Sequence, residues 1–464
     1  MKSNPLVTLY IPCRNYGKYL VQCINSVINQ VYESWELIII NEGSSDNSSE
    51  IAIEYEKKFP NKIKFIDNKY PIGLQKLANK VLSMANGKYM MRLDADDWLD
   101  ESAIFLMVNK LEATKNAGLV YGNYYYTDEE GKILDVEFKN RLSNEDIASQ
   151  LPPHGACTLF RTRSLKNVGG YSEKVNAQDG WDLWYKLADR IGAVNIQVPI
   201  FYYRQHGGSM SRDNTRLLKA RSKIFEQISN KLEGDYKPKT LAVIPVKESY
   251  PDFEGVPYRE INGKSILEIA IKNASNSKKI DSIIISSESV KVLDFAEKLE
   301  NEGKVPSHDR LLRIPNNKSK GVPIRNFMLL AGEKYFEINK SYPDIVVFLS
   351  LHAINRNSKH IENALNVLRI TESDSVVSVQ EEREPMFSYG KNGLEIINRG
   401  RFQDLIFDKE RLYRFNGSII ATWWEVLKTD TLFGKKISHI EMSNLDSLQI
   451  KNSAMLEYFK NLSS

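Results

Sequence analysis

Tyr89-Met-Met-Arg-Leu-Asp-Ala-Asp-Asp-Trp98 decides how this chain is read. Residues 89–93 have the high β-propensity of a short buried strand. The strand ends in three carboxylates, Asp94, Asp96 and Asp97. Side chains alternate along an extended chain, so the spacing predicts Asp94 and Asp96 on the same side. Acids crowded at a strand end repel one another unless a cation is present. Mg²⁺ or Mn²⁺ takes such oxygen ligands while keeping contact with phosphates. A solvated acidic turn capping the next helix, from Glu101 onward, accounts for the same three residues. The short motif alone does not separate the two readings.

The flanking sequence supplies context. Leu6-Val-Thr-Leu-Tyr-Ile-Pro12 reads as a strand stopped by proline. Cys13 to Leu20 turns into an amphipathic helix with Leu20, Ile24, Val27 and Ile28 on one face. A second strand, Trp35 to Ile40, runs into Asn41-Glu-Gly-Ser-Ser-Asp-Asn-Ser48, a loop rich in turn and capping residues. A third strand, Ile63 to Ile66, precedes Gly73 and a helix carrying Leu77, Ala78, Val81 and Leu82. This alternation predicts a doubly wound α/β sheet, in which ligands bind at the carboxyl ends of the strands. Pro12, Glu42 and Asp94 all fall at predicted strand ends.

Six pieces in order resemble the family-2 glycosyltransferases of the GT-A fold. They are Ile11 to Leu20, Glu42 to Asp46, Leu93 to Trp98, Gly169-Gly-Tyr171, Gln178-Asp-Gly-Trp-Asp-Leu-Trp184 and Tyr203-Arg-Gln-His-Gly-Gly-Ser209. The resemblance covers residues 5 to about 215. It implies a sugar-nucleotide donor, expected to be a UDP-sugar, and a glycan or lipid-linked acceptor. It also implies a divalent metal (Mn²⁺ or Mg²⁺) and inversion at the anomeric carbon. Pro12, Arg14, Glu42, Asp94, Asp96 and Arg204 are the implied nucleotide-sugar contacts, and Asp96 and His206 the implied metal ligands. Two departures stand out: Asn41 replaces a carboxylate of the usual Asp-Asp-Gly-Ser loop, and Arg14 stands where an aromatic often lies near the base.

The same resemblance places the catalytic base at Asp179. An attacking hydroxyl needs a nearby acceptor as its proton becomes acidic. Asp179 also precedes a helix whose Trp181, Trp184, Ala188 and Ile191 share an apolar face, so a helix cap or first-turn acid is the alternative. His206 follows Arg204 in a loop; imidazole can ligate Mn²⁺ and Arg204 can pair with phosphate oxygens. A loop histidine bonded to backbone is the alternative. His154 opens a predicted strand, Ala156 to Phe160, and with Trp181 is a candidate for the acceptor pocket; packing is the alternative. Tyr124-Tyr-Tyr126 could stack on sugars, although strand aromatics more often serve packing.

At 464 residues the chain has length for two cores, and its 42% hydrophobic content suits globular folding. A net charge of +4 does not point to nucleic acid. Lys-rich segments suit an anionic membrane surface, so the expected place is cytoplasmic, with peripheral contact at the inner face of the membrane as an option. Cys13, Cys23 and Cys157 have no metal spacing, which fits a reducing compartment. No leader and no spanning apolar run is expected.

Organisation changes near residue 230. A domain over 1–232 is expected, then a linker of the type Glu233-Gly-Asp-Tyr-Lys-Pro-Lys239, then a second domain over 239–464. Strands are predicted at Thr240–Pro245, Ser282–Ser286, Ile345–Leu349 and Ser375–Val379, with helices at Ile266–Ala274, Val290–Glu300 and Ile361–Leu368. Gly303 to Lys320 reads as a polar loop. The fold class is therefore α/β, with two Rossmann-like nucleotide-binding domains in tandem, the first GT-A.

Leu241 to Lys247, Gly255 to Lys264, Ile284 to Ser289, Asp374 to Val379 and Tyr413 to Ser418 resemble the cytidylyltransferases that activate sialic and related acids. The departures fall where that chemistry sits. The phosphate loop is Lys247-Glu-Ser-Tyr-Pro-Asp-Phe-Glu254, where Pro251 lacks a donor and Glu248, Asp252 and Glu254 repel phosphate. Ser350-Leu-His-Ala-Ile-Asn-Arg356 keeps only the arginine of a substrate-binding segment. Gln449 and Lys451 stand where metal aspartates are expected, and protonated lysine cannot ligate Mg²⁺. The second domain is thus read as a noncatalytic relative serving dimerisation, acceptor binding or placement, with Arg259, Lys264, Arg325 and Arg356 as scattered cations. A homodimer is expected. Three readings stand: a metal-dependent inverting glycosyltransferase, a bifunctional enzyme that also makes a CMP-activated acidic sugar, and a noncatalytic glycan- or nucleotide-binding scaffold.

Overall fold

The computed structural model describes residues 4–139, 154–175, 177, 179–188, 191–206, 214–232, 237–251, 253–313, 323–391, 393–398, 411–429 and 431–462. The described residues form two compact units, one up to Ile224 and one from Phe225 on. The division falls inside a helix, Asn214–Leu232, and not in the polar stretch after it. The carbonyl of Leu232 accepts from Arg369 Nη2 at 3.5 Å, which attaches the end of that helix to the second unit.

In the first unit the strands are β1 (Val7–Cys13), β2 (Trp35–Glu42), β3 (Ile63–Asn68), β4 (Tyr89–Arg92), β5 (Trp98–Leu99), β6 (Leu119–Thr127), β7 (Ile133–Glu137), β8 (Thr158–Arg161) and β9 (Ala193–Arg204). The helices between them are α1 (Gly17–Ile28), α2 (Ser48–Lys58), α3 (Leu74–Met84) and α4 (Ala103–Ala113). The sheet order is β3-β2-β1-β4-β8-β6-β9-β5, with β7 on β6. Alternation along the strands splits the core between two faces. Val7, Leu9 and Ile11 pack with Leu20, Ile24 and Met107 from α1 and α4. Tyr10, Ile38 and Ile40 pack with Leu77 and Val81 from α3. Both faces are covered, so β1 is buried almost throughout.

The second unit contributes β10 (Thr240–Val246), β11 (Ser249–Tyr250), β12 (Phe253–Glu254), β13 (Glu260–Ile261), β14 (Lys264–Ser265), β15 (Ser282–Ser287), β16 (Asp309–Leu312), β17 (Ile345–Leu349), β18 (Ser375–Glu382), β19 (Met386–Gly390), β20 (Gly393–Asn398), β21 (Leu412–Trp423) and β22 (Ile437–Glu441). Its main sheet runs β16-β15-β10-β17-β21-β18-β22.

Neither main sheet is purely parallel. In the first, β8 runs antiparallel to both neighbours, β4 and β6, while β6 and β9 are parallel. In the second, β21 runs antiparallel to β17 and β18, while β18 and β22 are parallel. Numbered within each unit by the seven strands they share, both sheets follow the order 3-2-1-4-6-5-7 with the sixth strand reversed. The two halves have no evident sequence repeat, yet they repeat one topology. The prolines fit this frame. β4 accompanies β1 only to Tyr10, and β17 accompanies β10 only to Val243. Pro12 and Pro245 each come two residues later, where a missing N–H costs least.

Two further expectations change. The segment 303–320 contains a strand, β16, paired with β15; residues 314–320 lie outside the described part. Helical periodicity after Asp179 also fails to persist. Asp179–Leu183 is α-helical, but Trp184–Ala188 is a π-turn, which shifts later side chains off a 3.6-residue stripe.

Candidate active site

The loops at the carboxyl ends of β1 and β2 are joined by hydrogen bonds. Gly17 N donates to Asp46 Oδ2 at 2.8 Å and Asn15 N to Ser44 Oγ at 3.0 Å. Ser45 N returns a bond to Asn15 Oδ1 at 2.8 Å. Asn15 sits at φ 60°, a left-handed conformation asparagine tolerates. A Cβ on Gly17 would run into the Asn47 side chain, which would have to turn aside.

Asp94 to Asp97 form a turn, not an extended run: Asp97 N donates to Asp94 O at 3.0 Å. The alternation rule therefore does not apply, and Asp94 and Asp96 have different partners. Asp96 Oδ2 lies 2.8 Å from His206 Nε2. Asp94 Oδ1 lies 3.0 Å from Arg92 Nε. Asp94, Asp97 and His154 each bring one ligand-type atom within 4.8 Å of the others. Asp97 is the deepest of these acids. Its Oδ1 accepts from Arg204 N at 2.9 Å, and its Oδ2 has no hydrogen-bond partner among the described residues. Burial, then the charges of Asp96 and Asp94, push its carboxyl well above the usual carboxylate range. Burial and the same charges also raise the Tyr16 phenol, so it stays protonated. Tyr16 stands edge-on to His206 with ring centres 5.7 Å apart. Carboxylates with imidazole make a donor set suited to Mn²⁺ or Mg²⁺, and an unsatisfied buried oxygen among them fits a cation.

Arg204 is not placed as a free phosphate contact. It is 2% exposed. Its Nε donates to Asp96 O at 2.8 Å, its Nη2 to Gln22 Oε1 at 2.6 Å and its Nη1 to Glu129 O. The guanidinium also lies 4.7 Å from the Tyr19 ring centre and 4.6 Å from that of Trp98. Every nitrogen is used inside the protein, so Arg204 acts as a clamp on the acidic turn. Glu42 is likewise engaged. It accepts from Asn68 Nδ2 at 2.7 Å, Ile72 N at 2.9 Å and Gly73 N at 3.1 Å, which fixes the entry to α3. Asn41 donates to Asp67 Oδ1 at 2.7 Å and accepts from Ser44 N at 3.0 Å. Arg14 is exposed at the end of β1, beside the half-buried Pro12.

His154 caps a short turn, its Nδ1 accepting from Ala156 N at 3.3 Å. Its ring packs against Tyr203 at 4.4 Å and Phe201 at 5.2 Å. Trp181 carries the Arg221 guanidinium 4.8 Å from its ring centre. Asp179 opens its helix, and its side chain lies outside the described residues. Tyr124 and Tyr126 are buried, so they belong to packing. Sequence reasoning did not single out Arg92 or Tyr16, whose roles depend on neighbours distant in sequence.

The corresponding strand ends of the second unit hold different groups. The β11–β12 hairpin stands in place of a phosphate loop, and its Tyr250 ring lies 4.5 Å from that of His352. Arg356 is fully buried and donates to Ser350 O at 2.8 Å and Ser418 O at 3.1 Å. Burial lowers its pKa to about 9. Arg259 and Arg325 each bond a backbone carbonyl, of Glu254 and Leu427. Gln449 Nε2 donates to Asn416 O, and Lys451 is exposed.

Since Arg204 holds the turn, Arg204→Lys should destabilise the protein by about 2–4 kcal/mol, because one ammonium cannot replace three directed donors. Chemical denaturation checks this; unchanged stability with weakened donor binding would return Arg204 to the phosphates.

Comparison with known proteins adds an independent line. The signature of "Glycosyl transferase family 2" matches residues 8–169. Glycosyltransferase GlyG of Streptococcus pneumoniae serotype 4 is 33% identical over 248 residues, covering 49% of this chain and 79% of that protein. Chondroitin synthase of Escherichia coli is 28% identical over 213 residues, 46% of this chain but only 30% of the synthase. The chain thus spans under a third of that relative, and 22% of the Pasteurella multocida chondroitin synthase. Among solved structures, Staphylococcus aureus TarS 1-349 in complex with UDP-GlcNAc aligns with a TM-score of 0.41 and 18% identity, covering 50% of this chain and 68% of that one. A signature running through the acidic turn, together with one-third identity to a protein matched over most of its length, means that this chain belongs to glycosyl transferase family 2.

Proposed function

We propose that the first unit is a metal-dependent inverting glycosyltransferase. It moves a sugar from a nucleotide-sugar donor to a glycan or lipid-linked acceptor in surface polysaccharide or glycoconjugate synthesis. The carrying observation is the Asp96–His206 pair at 2.8 Å in the same turn as Asp94 and Asp97, which gather with His154, the Asp97 Oδ2 being buried without a partner among the described residues. Asp96 and His206 would hold Mn²⁺ or Mg²⁺, with Asp94 alongside. A bound cation would neutralise charge on the diphosphate leaving group. Asp179 takes the proton of the acceptor hydroxyl as it attacks the anomeric carbon. Pro12, Arg14 and the loop fixed by Glu42 face the nucleotide, and His154 and Trp181 face the acceptor. Relatives named for chondroitin, hyaluronan and poly-β-1,6-N-acetyl-D-glucosamine synthesis support a polysaccharide product, and a UDP-sugar is the donor in this reading. Among the described residues no helix is long and apolar enough to cross a membrane. We place the enzyme in the cytoplasm, with peripheral contact at the inner membrane face and no nucleic-acid partner.

The second unit is noncatalytic in this reading and positions the transferase. The β11–β12 hairpin and Gln449 with Lys451 support that role over a second, CMP-sugar-forming activity.

Asp96→Asn should abolish Mn²⁺-dependent stabilisation by a UDP-sugar and leave the melting temperature of the free protein near its starting value. Thermal-shift titration over a panel of nucleotide sugars measures this, and a folded Asp96→Asn enzyme that transfers normally refutes the metal assignment. Asp179→Asn should keep donor binding while transfer drops about 10²-fold or more. Joint loss of stability and activity would mark Asp179 as a helix cap. The full-length chain should form no CMP-sugar from CTP, Mg²⁺ and a nonulosonic acid; chromatographic detection of product would establish the bifunctional reading.

A further inference from the structure

His206 follows the end of β9, yet its ring is held from the start of α1. Its centre lies 5.7 Å from that of Tyr16, edge-on, and 5.4 Å from that of Tyr19. Tyr19 is fixed in turn. The Arg204 guanidinium lies 4.7 Å from its ring centre, and its hydroxyl donates to Glu129 Oε1 at 2.9 Å, across 110 positions of chain. Lys18 Nζ donates to the same oxygen at 2.5 Å. Glu129 belongs to the turn between β6 and β7. Asp128 closes that turn: its carbonyl accepts from Gly131 N at 3.2 Å and its Oδ1 from Lys132 N at 2.8 Å, with Gly131 at a φ of 91°. The carbonyl of Glu129 accepts from Arg204 Nη1. One residue of a closed turn thus holds Arg204 through its backbone and Tyr19 through its carboxylate.

We propose that Glu129 and Tyr19 are positioning residues for His206. The β6–β7 turn is a bracket: Glu129 fixes the Tyr19 ring, and that ring with Tyr16 limits the imidazole to orientations in which Nε2 faces Asp96. The bond to Asp96 cannot do this alone, because the second side-chain torsion of histidine has a broad well and one hydrogen bond leaves the ring plane free to turn. Packing from two sides fixes the plane. The hydrogen bond to Tyr19 carries the effect, and the Lys18 pair does not. Lys18 and Glu129 side chains are 65% and 44% exposed, where an ion pair is screened and worth little. The positioning role is geometric; only its consequence for metal affinity rests on the proposed function.

NMR of the histidine Cε1–Hε1 groups in the metal-free full-length chain tests it, the His206 signal being assigned by its loss in His206→Gln. Glu129→Ala and Tyr19→Phe should each move that signal, and their combination should move it no further. Glu129→Gln should leave it in place, because the amide oxygen still accepts from the Tyr19 hydroxyl. Lys18→Ala should also leave it in place. Mn²⁺ titration followed by electron paramagnetic resonance should show affinity lowered about tenfold in Glu129→Ala and Tyr19→Phe and kept in Glu129→Gln. If Glu129→Ala misfolds, Tyr19→Phe decides, since it keeps the ring and removes one oxygen. An unmoved His206 signal in either folded variant overturns the proposal, and so does a Glu129→Gln protein as altered as Glu129→Ala. Wild-type protein that binds no Mn²⁺ would sink the metal assignment instead, and the His206 signal would still decide the positioning role.

Discussion

A buried guanidinium organises the first unit. Arg204 ends β9, yet its donors reach Asp96 in the acidic turn, Gln22 on α1 and Glu129 beyond β6. Its own backbone N–H holds Asp97. A buried cation with poor partners would cost several kcal/mol, so these acceptors and the Tyr19 and Trp98 rings must stay in register with it. The clamp constrains where Asp94, Asp96 and Asp97 can point. It also carries the chain to His206, two residues on, opposite Asp96.

The shape of that constraint explains why the carboxylates divide. A strand end would have aimed Asp94 and Asp96 together. The turn, closed by Asp97 N on Asp94 O, aims Asp96 at His206 and leaves Asp94 and Asp97 near His154. Asp94 and Asp96 then have a guanidinium and an imidazole neighbour, while the buried Asp97 carboxyl is pushed well above the usual carboxylate range. The fold supplies the same platform in the second unit, where the fourth strand ends in Ser350 and leads to the buried Arg356. One topology thus carries an acidic turn in one half and, in the other, a corner with a buried arginine bonded through Nη1. Function resides in the loops and not in the strand order.

Much of the architecture was legible in the chain. Tyr89–Met91, Leu37–Ile40 and Ile345–Leu349 are continuous apolar runs, and such runs read as buried strands because both faces of the sheet are covered. Helices with a strong stripe, such as Leu20, Ile24 and Val27 on α1, were equally readable. β16 was missed because Asp309-Arg-Leu-Leu312 lies in polar sequence and is only half buried at the sheet edge. The reversed strands β8 and β21 were not readable either, since direction depends on pairings between distant segments.

The sequence by itself determined the residue types of the site. The acidic cluster, the histidine after the last strand and the proline in each first strand are local facts, fixed by spacing along the chain, although β1 and β10 each run one residue past that proline. Only the tertiary structure decided which of those residues face one another. Arg204, an expected phosphate contact, became the clamp because Asp96, Gln22 and Glu129 converge on it from segments up to 182 positions away. Glu42 became a loop fastener because Ile72 N and Gly73 N reach it across the sheet edge. Hydrogen bonds are short-ranged and directional, so a side chain's role follows from the few ångströms around its polar atoms. Those neighbours are set by how the strands pair, which no local spacing encodes.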